Sequence, residues 1–104
     1  MDVFEVIRAR RSVRAYLDAP VEADKLERIL QAVNQAPACT YAVLAAAGLG
    51  LSTVWVGAFD EAGVSRVLDL PAAHRPVVML PLGYAAEQPL PRDRRNLNEL
   101  VHHT

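Results

Sequence analysis

Apolar positions along this chain change period several times, and each change marks an element. From Glu22 to Gln35, Leu26, Ile29, Leu30 and Val33 recur at i, i+3, i+4 and i+7. That spacing predicts an amphipathic helix, with Glu22 and Asp24 near its positive end and Pro37 just beyond its stop. Val3, Phe4, Val6 and Ile7 supply the apolar side of a shorter helix that Asp2 caps and that runs to about Arg10. The helical period is lost from Val13 to Pro20, which reads as an extended loop because Pro20 disfavours helical backbone at Ala19. A third helix, rich in alanine, is predicted from about Tyr41 to Ala47, ending at Gly48 or Gly50, either of which can take the left-handed C-cap conformation.

Ser52 to Ala58 and Pro76 to Leu82 are continuous apolar runs of strand length, predicting two buried strands. A helix from Asp60 or Glu61 through Leu68 separates them. A strand, helix and strand in this order predict a parallel pair joined by a right-handed crossover. Pro89 and Pro91 then lead an extended tail into Leu97, Leu100 and Val101. Two strands do not make a stable sheet alone. An isolated protomer would also expose the alanine helix and a sheet edge, so an oligomer is expected, most simply a two-fold homodimer.

Composition narrows the picture. A length of 104 residues suits one domain over 1–104. A formal net charge of −1 argues against bulk nucleic-acid binding, which needs a basic surface to displace counterions from many phosphates. The single cysteine, Cys39, cannot form an internal disulfide and reads as a small buried hydrophobe, and no apolar run of the signal-peptide kind opens the chain. A reducing cytoplasm is the expected location. From Ala36 to Phe59 there is no formal charge, a length that by counting alone could cross a bilayer. Gly48, Gly50, Ser52 and Thr53 interrupt it, and it changes there from alanine-rich to β-branched and aromatic, so a buried helix followed by a buried strand accounts for it better.

Against that near-neutral charge, two guanidinium clusters stand out: Arg10-Arg11-Ser12-Val13-Arg14 near the start and Arg92-Asp93-Arg94-Arg95 near the end. Cations at a helix end complement the helix dipole, and arginines in a tail can be merely solvated. Guanidinium forks also match phosphate oxygens bidentately, and the serine hydroxyl adds a neutral donor, so the clusters read as two halves of one phosphate site. No other constellation competes. Gly48-Leu49-Gly50 precedes a strand and lacks a third glycine, so it is no dinucleotide fingerprint. His74 has no ligand-forming neighbours at zinc spacing, and His102 and His103 sit at the tail, so no metal site is expected.

The Arg10 to Arg14 run, the Val54-Trp55-Val56-Gly57-Ala58-Phe59-Asp60 segment, the Arg75 to Tyr84 segment and the Arg92 to Arg95 run occur in an order that resembles the nitroreductase family of flavin enzymes. The resemblance implies an α+β fold of nitroreductase-like three-layer type, truncated, with a small sheet flanked by helices and completed by dimerisation. It implies FMN as cofactor, NADH or NADPH as reductant, and a small acceptor such as a nitroaromatic or quinone, with no nucleic acid or membrane as partner. By resemblance Arg10 and Ser12 hold the phosphate and Arg14 lies near the flavin pyrimidine, with Arg11 between them counted among the cofactor-binding residues. Positive charge there favours the two-electron-reduced flavin. Gly57 and Ala58 match the positions that offer main-chain N–H groups to the flavin ring edge, and Val56, which with Val54 and Phe59 reads first as core, is counted with them as cofactor-binding. Arg92 and Arg94 match the spaced basic pair that completes the phosphate site. No side chain is implied as a catalytic group. After Ala36-Pro37 the chain passes through Ala38-Cys39-Thr40 almost directly into what resembles the end of the family's central helix, so the family's middle segment is missing. The alternative is a non-catalytic flavin-binding or empty dimerisation module of the same ancestry.

Overall fold

The computed structural model describes residues 2–103, in the order α1 (Val3–Ala9), α2 (Ala23–Val33), α3 (Ala38–Gly48), β1 (Ser52–Thr53), α4 (Glu61–Val67), β2 (Leu82–Gly83) and α5 (Leu97–Leu100). Local signals explain the helices. Asp2 and Glu5 form a reciprocal capping box, each side chain accepting the other's backbone N–H at 2.8 Å. At the C-terminus of α3, Leu51 N–H donates to the Ala46 carbonyl at 2.9 Å and Gly50 N–H to the Ala47 carbonyl at 3.1 Å. This is a Schellman stop, with Gly50 at φ 79, a conformation that glycine takes without a Cβ penalty.

The core forms where α2 and α3 meet the small sheet. Ile29, Ala42, Ala46 and Leu51 are buried together, with Val33, Leu80, Leu82 and Tyr84 packed around them. α3 starts at Ala38, before the expected Tyr41, because Pro37 takes the N-cap position, where a missing N–H costs nothing. The alanine helix is not the exposed element expected from the sequence; Ala46 is fully covered, because small side chains let α2 approach closely. The exposed apolar surface lies elsewhere. Phe4 and Ile7 on α1, Leu26 and Leu30 on α2, Val67 at the end of α4 with Leu68 just beyond it, and Leu97 on α5 all face solvent. Of the expected α2 stripe, only Ile29 is fully covered.

The sheet corrects the sequence reading in two respects and extends it in a third. First, β1 and β2 are antiparallel, Ser52 opposite Gly83 and Thr53 opposite Leu82, and a further antiparallel bridge joins Val56 to Met79. A parallel return would need a helix that spans the strand's length, whereas the seven residues of α4 rise only about 10 Å. The chain therefore re-enters beside the end it left. Second, neither run is buried throughout: burial holds to Val54, after which Trp55, Gly57, Ala58 and Val77 are exposed. Third, the 13–20 stretch, an extended loop as expected, is also tied to the sheet by isolated bridges around it. Ser12 bridges Thr53 in parallel, and Tyr16 bridges Ala85 in antiparallel sense. The tail also differs from an extended strand, since Asn96 caps α5 by accepting the Asn98 N–H at 3.1 Å. Among the described residues no helix is long and apolar enough to cross a membrane.

Candidate functional site

α1 ends at Ala9 and is capped by Arg10, whose extended backbone turns the chain out of the helix and sends Arg10 to Arg14 along β1. Buried Val13 anchors this segment and donates its N–H to the Thr53 carbonyl at 3.0 Å. Two residues later the chain crosses to the continuation of β2: Leu17 N–H donates to the Tyr84 carbonyl and Ala86 N–H to the Ala15 carbonyl, both at 2.8 Å. The crossing works because position 83 is glycine. A Cβ on Gly83 would stand 2.9 Å from Cδ1 of Tyr16, whose ring lies against the strand there. The Tyr16 hydroxyl donates to the Val13 carbonyl at 2.6 Å. Burial pushes the Tyr16 phenol pKa up, the Glu87 carboxylate adds to the effect, and Arg14 opposes it.

This route brings the two arginine clusters to one place. A groove of about 570 Å³ is lined by Arg8, Arg10, Arg11, Ser12 and Arg14 on one side and by Arg92 and Arg94 on the other, with Pro89 and Pro91 between. No carboxylate lines it. The ion pairs among the described residues, Lys25 with Glu22, Arg75 with Glu61 and Arg95 with Glu99, leave the groove's guanidiniums out. Arg11 is partly committed, its Nη1 donating to the carbonyls of Arg8 at 2.9 Å and Arg10 at 2.7 Å, which shapes the turn. Concentrated cations that form no ion pair among the described residues, next to a hydroxyl and on two segments of the chain, form a donor set suited to a phosphate. A neighbouring cavity of about 420 Å³ shares Arg10 and Arg11 and is walled by Val6, Val13, Val43, Ala47 and Leu51, with Glu87 also in its lining.

Val56, Gly57 and Ala58 do not line this groove. Val56 is engaged in the sheet, its N–H donating to the Met79 carbonyl at 3.0 Å and its carbonyl accepting from Met79 N–H at 2.9 Å. Gly57 and Ala58 are exposed and make no backbone hydrogen bond among the described residues, so their N–H groups are open to a ligand. Thr53, which holds the arginine segment, lies four residues before Gly57, at most about 13 Å of extended chain. The indole of Trp55, itself exposed, lies beside Gly57, where a Cβ on the glycine would stand 3.4 Å from its Nε1. Sequence reasoning singled out neither Trp55 nor Glu87. Glu87 carries no local signal, because its partner is 73 residues away in the chain.

Residues 7–39 and 34–84 match the sequence model of the nitroreductase family. The chain belongs to the nitroreductase family. The two matched stretches meet at 34–39, where the sequence places the missing middle segment. A NADH dehydrogenase/NAD(P)H nitroreductase, so named, from Methanothermobacter thermautotrophicus is 27% identical over 157 residues, covering 89% of this chain and 82% of the relative. That alignment is longer than this chain of 104 residues, so the nitroreductase relative contains internal sequence with no counterpart here. Solved structures share the fold. A nitroreductase family protein from Streptococcus pneumoniae superposes with a TM-score of 0.90 at 12% identity, covering 99% of this chain and 100% of that one. A nitroreductase from Exiguobacterium sibiricum, solved in complex with FMN, gives 0.86 at 12% identity, covering 100% and 98%.

Proposed function

We propose that this nitroreductase-family chain is an FMN-binding, NAD(P)H-dependent oxidoreductase acting on a small acceptor such as a nitroaromatic or quinone. The observation that carries the proposal is the groove in which Arg10, Ser12 and Arg14 face Arg92 and Arg94 without a carboxylate among them. In this reading Arg10, Arg11 and Ser12 grip the FMN phosphate together with Arg92 and Arg94, and Arg14 lies at the pyrimidine. The N–H groups of Gly57 and Ala58 meet the ring edge, and Val56 holds that edge in place through its bridge to Met79. Bound flavin supplies hydride transfer between nicotinamide and acceptor; the chain supplies placement and charge. The family, the archaeal relative's name and the FMN in the Exiguobacterium protein all support this reading.

The working unit is a homodimer. The accessible surface of 8209 Å² exceeds by about 2,400 Å² that of a compact monomer of 11.4 kDa. The radius of gyration, 16.1 Å, compares with about 13 Å for a compact chain of this length. Two chains carry twice that surplus, about 4,900 Å², much of it apolar, which falls within what obligate dimers bury, roughly 2,000–5,000 Å² across both partners. Sedimentation equilibrium should give the mass of two chains. The single domain over 1–104 is then one half of the unit, and a reducing cytoplasm suits its lone thiol.

A second reading, a flavin-binding module without turnover, is favoured by the exposure of Trp55, Gly57 and Ala58, since nothing among the described residues covers that side of the ring edge. One experiment separates the two. The protein is mixed with excess FMN and desalted, and NADPH or NADH is added without oxygen. Retained flavin that bleaches supports the oxidoreductase, and retained flavin that stays yellow supports the module. Loss of all flavin removes the cofactor assignment.

A further inference from the structure

We propose that Glu87 is a positioning residue for the anion groove, setting the spacing between its two arginine clusters; the inference rests on the phosphate-site reading above. Its carboxylate Oε1 accepts the backbone N–H of Arg14 at 2.7 Å. The bond extends, by a side chain, the pairing that Leu17 with Tyr84 and Ala86 with Ala15 begin. It falls on the turn that presents Ser12 and Arg14 to the groove.

The position of Glu87 in the chain gives the bond its reach. Beyond it, Gln88 to Arg95 make no backbone hydrogen bond among the described residues. Pro89 and Pro91 have no N–H to donate and hold their φ angles fixed, so the strap behaves as a stiff spacer. An orientation set at Glu87 is therefore transmitted to Arg92 and Arg94. Glu87 does not itself line the groove, yet it is the only carboxylate lining the cavity beside it. Its charge opposes anion binding while its hydrogen bond organises it, and the two contributions can be separated.

Glutamine at 87 keeps an acceptor for Arg14 N–H and drops the charge; alanine drops both. Inorganic phosphate is titrated into wild type, Glu87→Gln and Glu87→Ala, following amide chemical shifts, with circular dichroism as a check on the fold. The expected order is Gln equal to or tighter than wild type, and Ala weaker than Gln by about tenfold, the effect of one lost hydrogen bond of this kind. In the free protein, the Arg14 amide should be protected from hydrogen exchange in wild type and Gln and exposed in Ala. Alanine binding as well as or better than glutamine overturns the positioning role. Wild type that binds no phosphate overturns the groove reading and this inference with it.

Discussion

Val13 donates its backbone N–H to the Thr53 carbonyl at 3.0 Å, joining the N-terminal arginine segment to β1 across forty residues of chain. Val13 is buried and Thr53 is the buried polar residue of the core, so the contact is shielded from water. It places Ser12 beside the sheet and directs Arg14 outwards. The groove is built from this contact.

Replacing Arg10 and Ser12 together with alanine should weaken FMN binding by at least tenfold. Hydrogen bonds to a charged phosphate are worth roughly 1.5–3 kcal/mol each, and this change removes donors from one wall of the groove. A titration following flavin fluorescence measures it, and unchanged affinity would remove both residues from the site.

Trp55 is the only tryptophan in the chain, and its indole flanks Gly57. If the ring edge of FMN meets Gly57 and Ala58, indole emission should be strongly quenched as FMN is added, in proportion to occupancy. Emission that stays constant while flavin is retained would place the ring elsewhere.

Tyr84 donates its hydroxyl to Glu22 at 2.7 Å and accepts from Lys25 at 2.7 Å, tying the start of α2 to the segment after β2. The Tyr84 hydrogen bond, with further help from the backbone and Lys25, holds the Glu22 carboxyl below the usual range. A depressed folded-state pKa contributes stability that is full above the unfolded carboxylate's value, about 4.3, and is lost as pH falls through the folded value. Denaturation midpoints of wild type should therefore exceed those of Glu22→Gln at neutral pH and converge with them in acid. A gap independent of pH would show that the tie does not depend on ionisation.

Alanine at Gly83 puts a Cβ against the Tyr16 ring and should destabilise the protein by about 1–3 kcal/mol, the usual cost of overpacking. In a Tyr16→Ala background the same substitution should be nearly neutral. Thermal or denaturant unfolding at fixed chain concentration completes the cycle, and additive costs would mean that the two residues are not coupled.

Much of the local structure could be read directly from the sequence. Asp2 capping, the stripe centred on Ile29, the Gly50 stop and the short helix after Asp60 each depend on residues within a few positions of one another, so they survive without knowledge of the rest of the chain. The two arginine clusters were equally visible, as was their suitability for phosphate, because that is a property of guanidinium chemistry. Strand direction was not visible. The Val54 and Val78 neighbourhoods have the same apolar character whichever way they pair, and the direction followed from α4 being too short to return the chain.

What the sequence by itself determined is where helices start and stop and which side chains can hold an anion, since both follow from local backbone chemistry and side-chain type. Only the tertiary structure decided that Arg10 to Arg14 and Arg92 to Arg94 share one groove, that Glu87 reaches Arg14, and that Trp55 and Gly57 are left exposed. The first two depend on hydrogen bonds between residues about seventy positions apart, and the third on which face of the sheet is covered. No local signal encodes either, because long-range pairing and burial are set by the path of the whole chain.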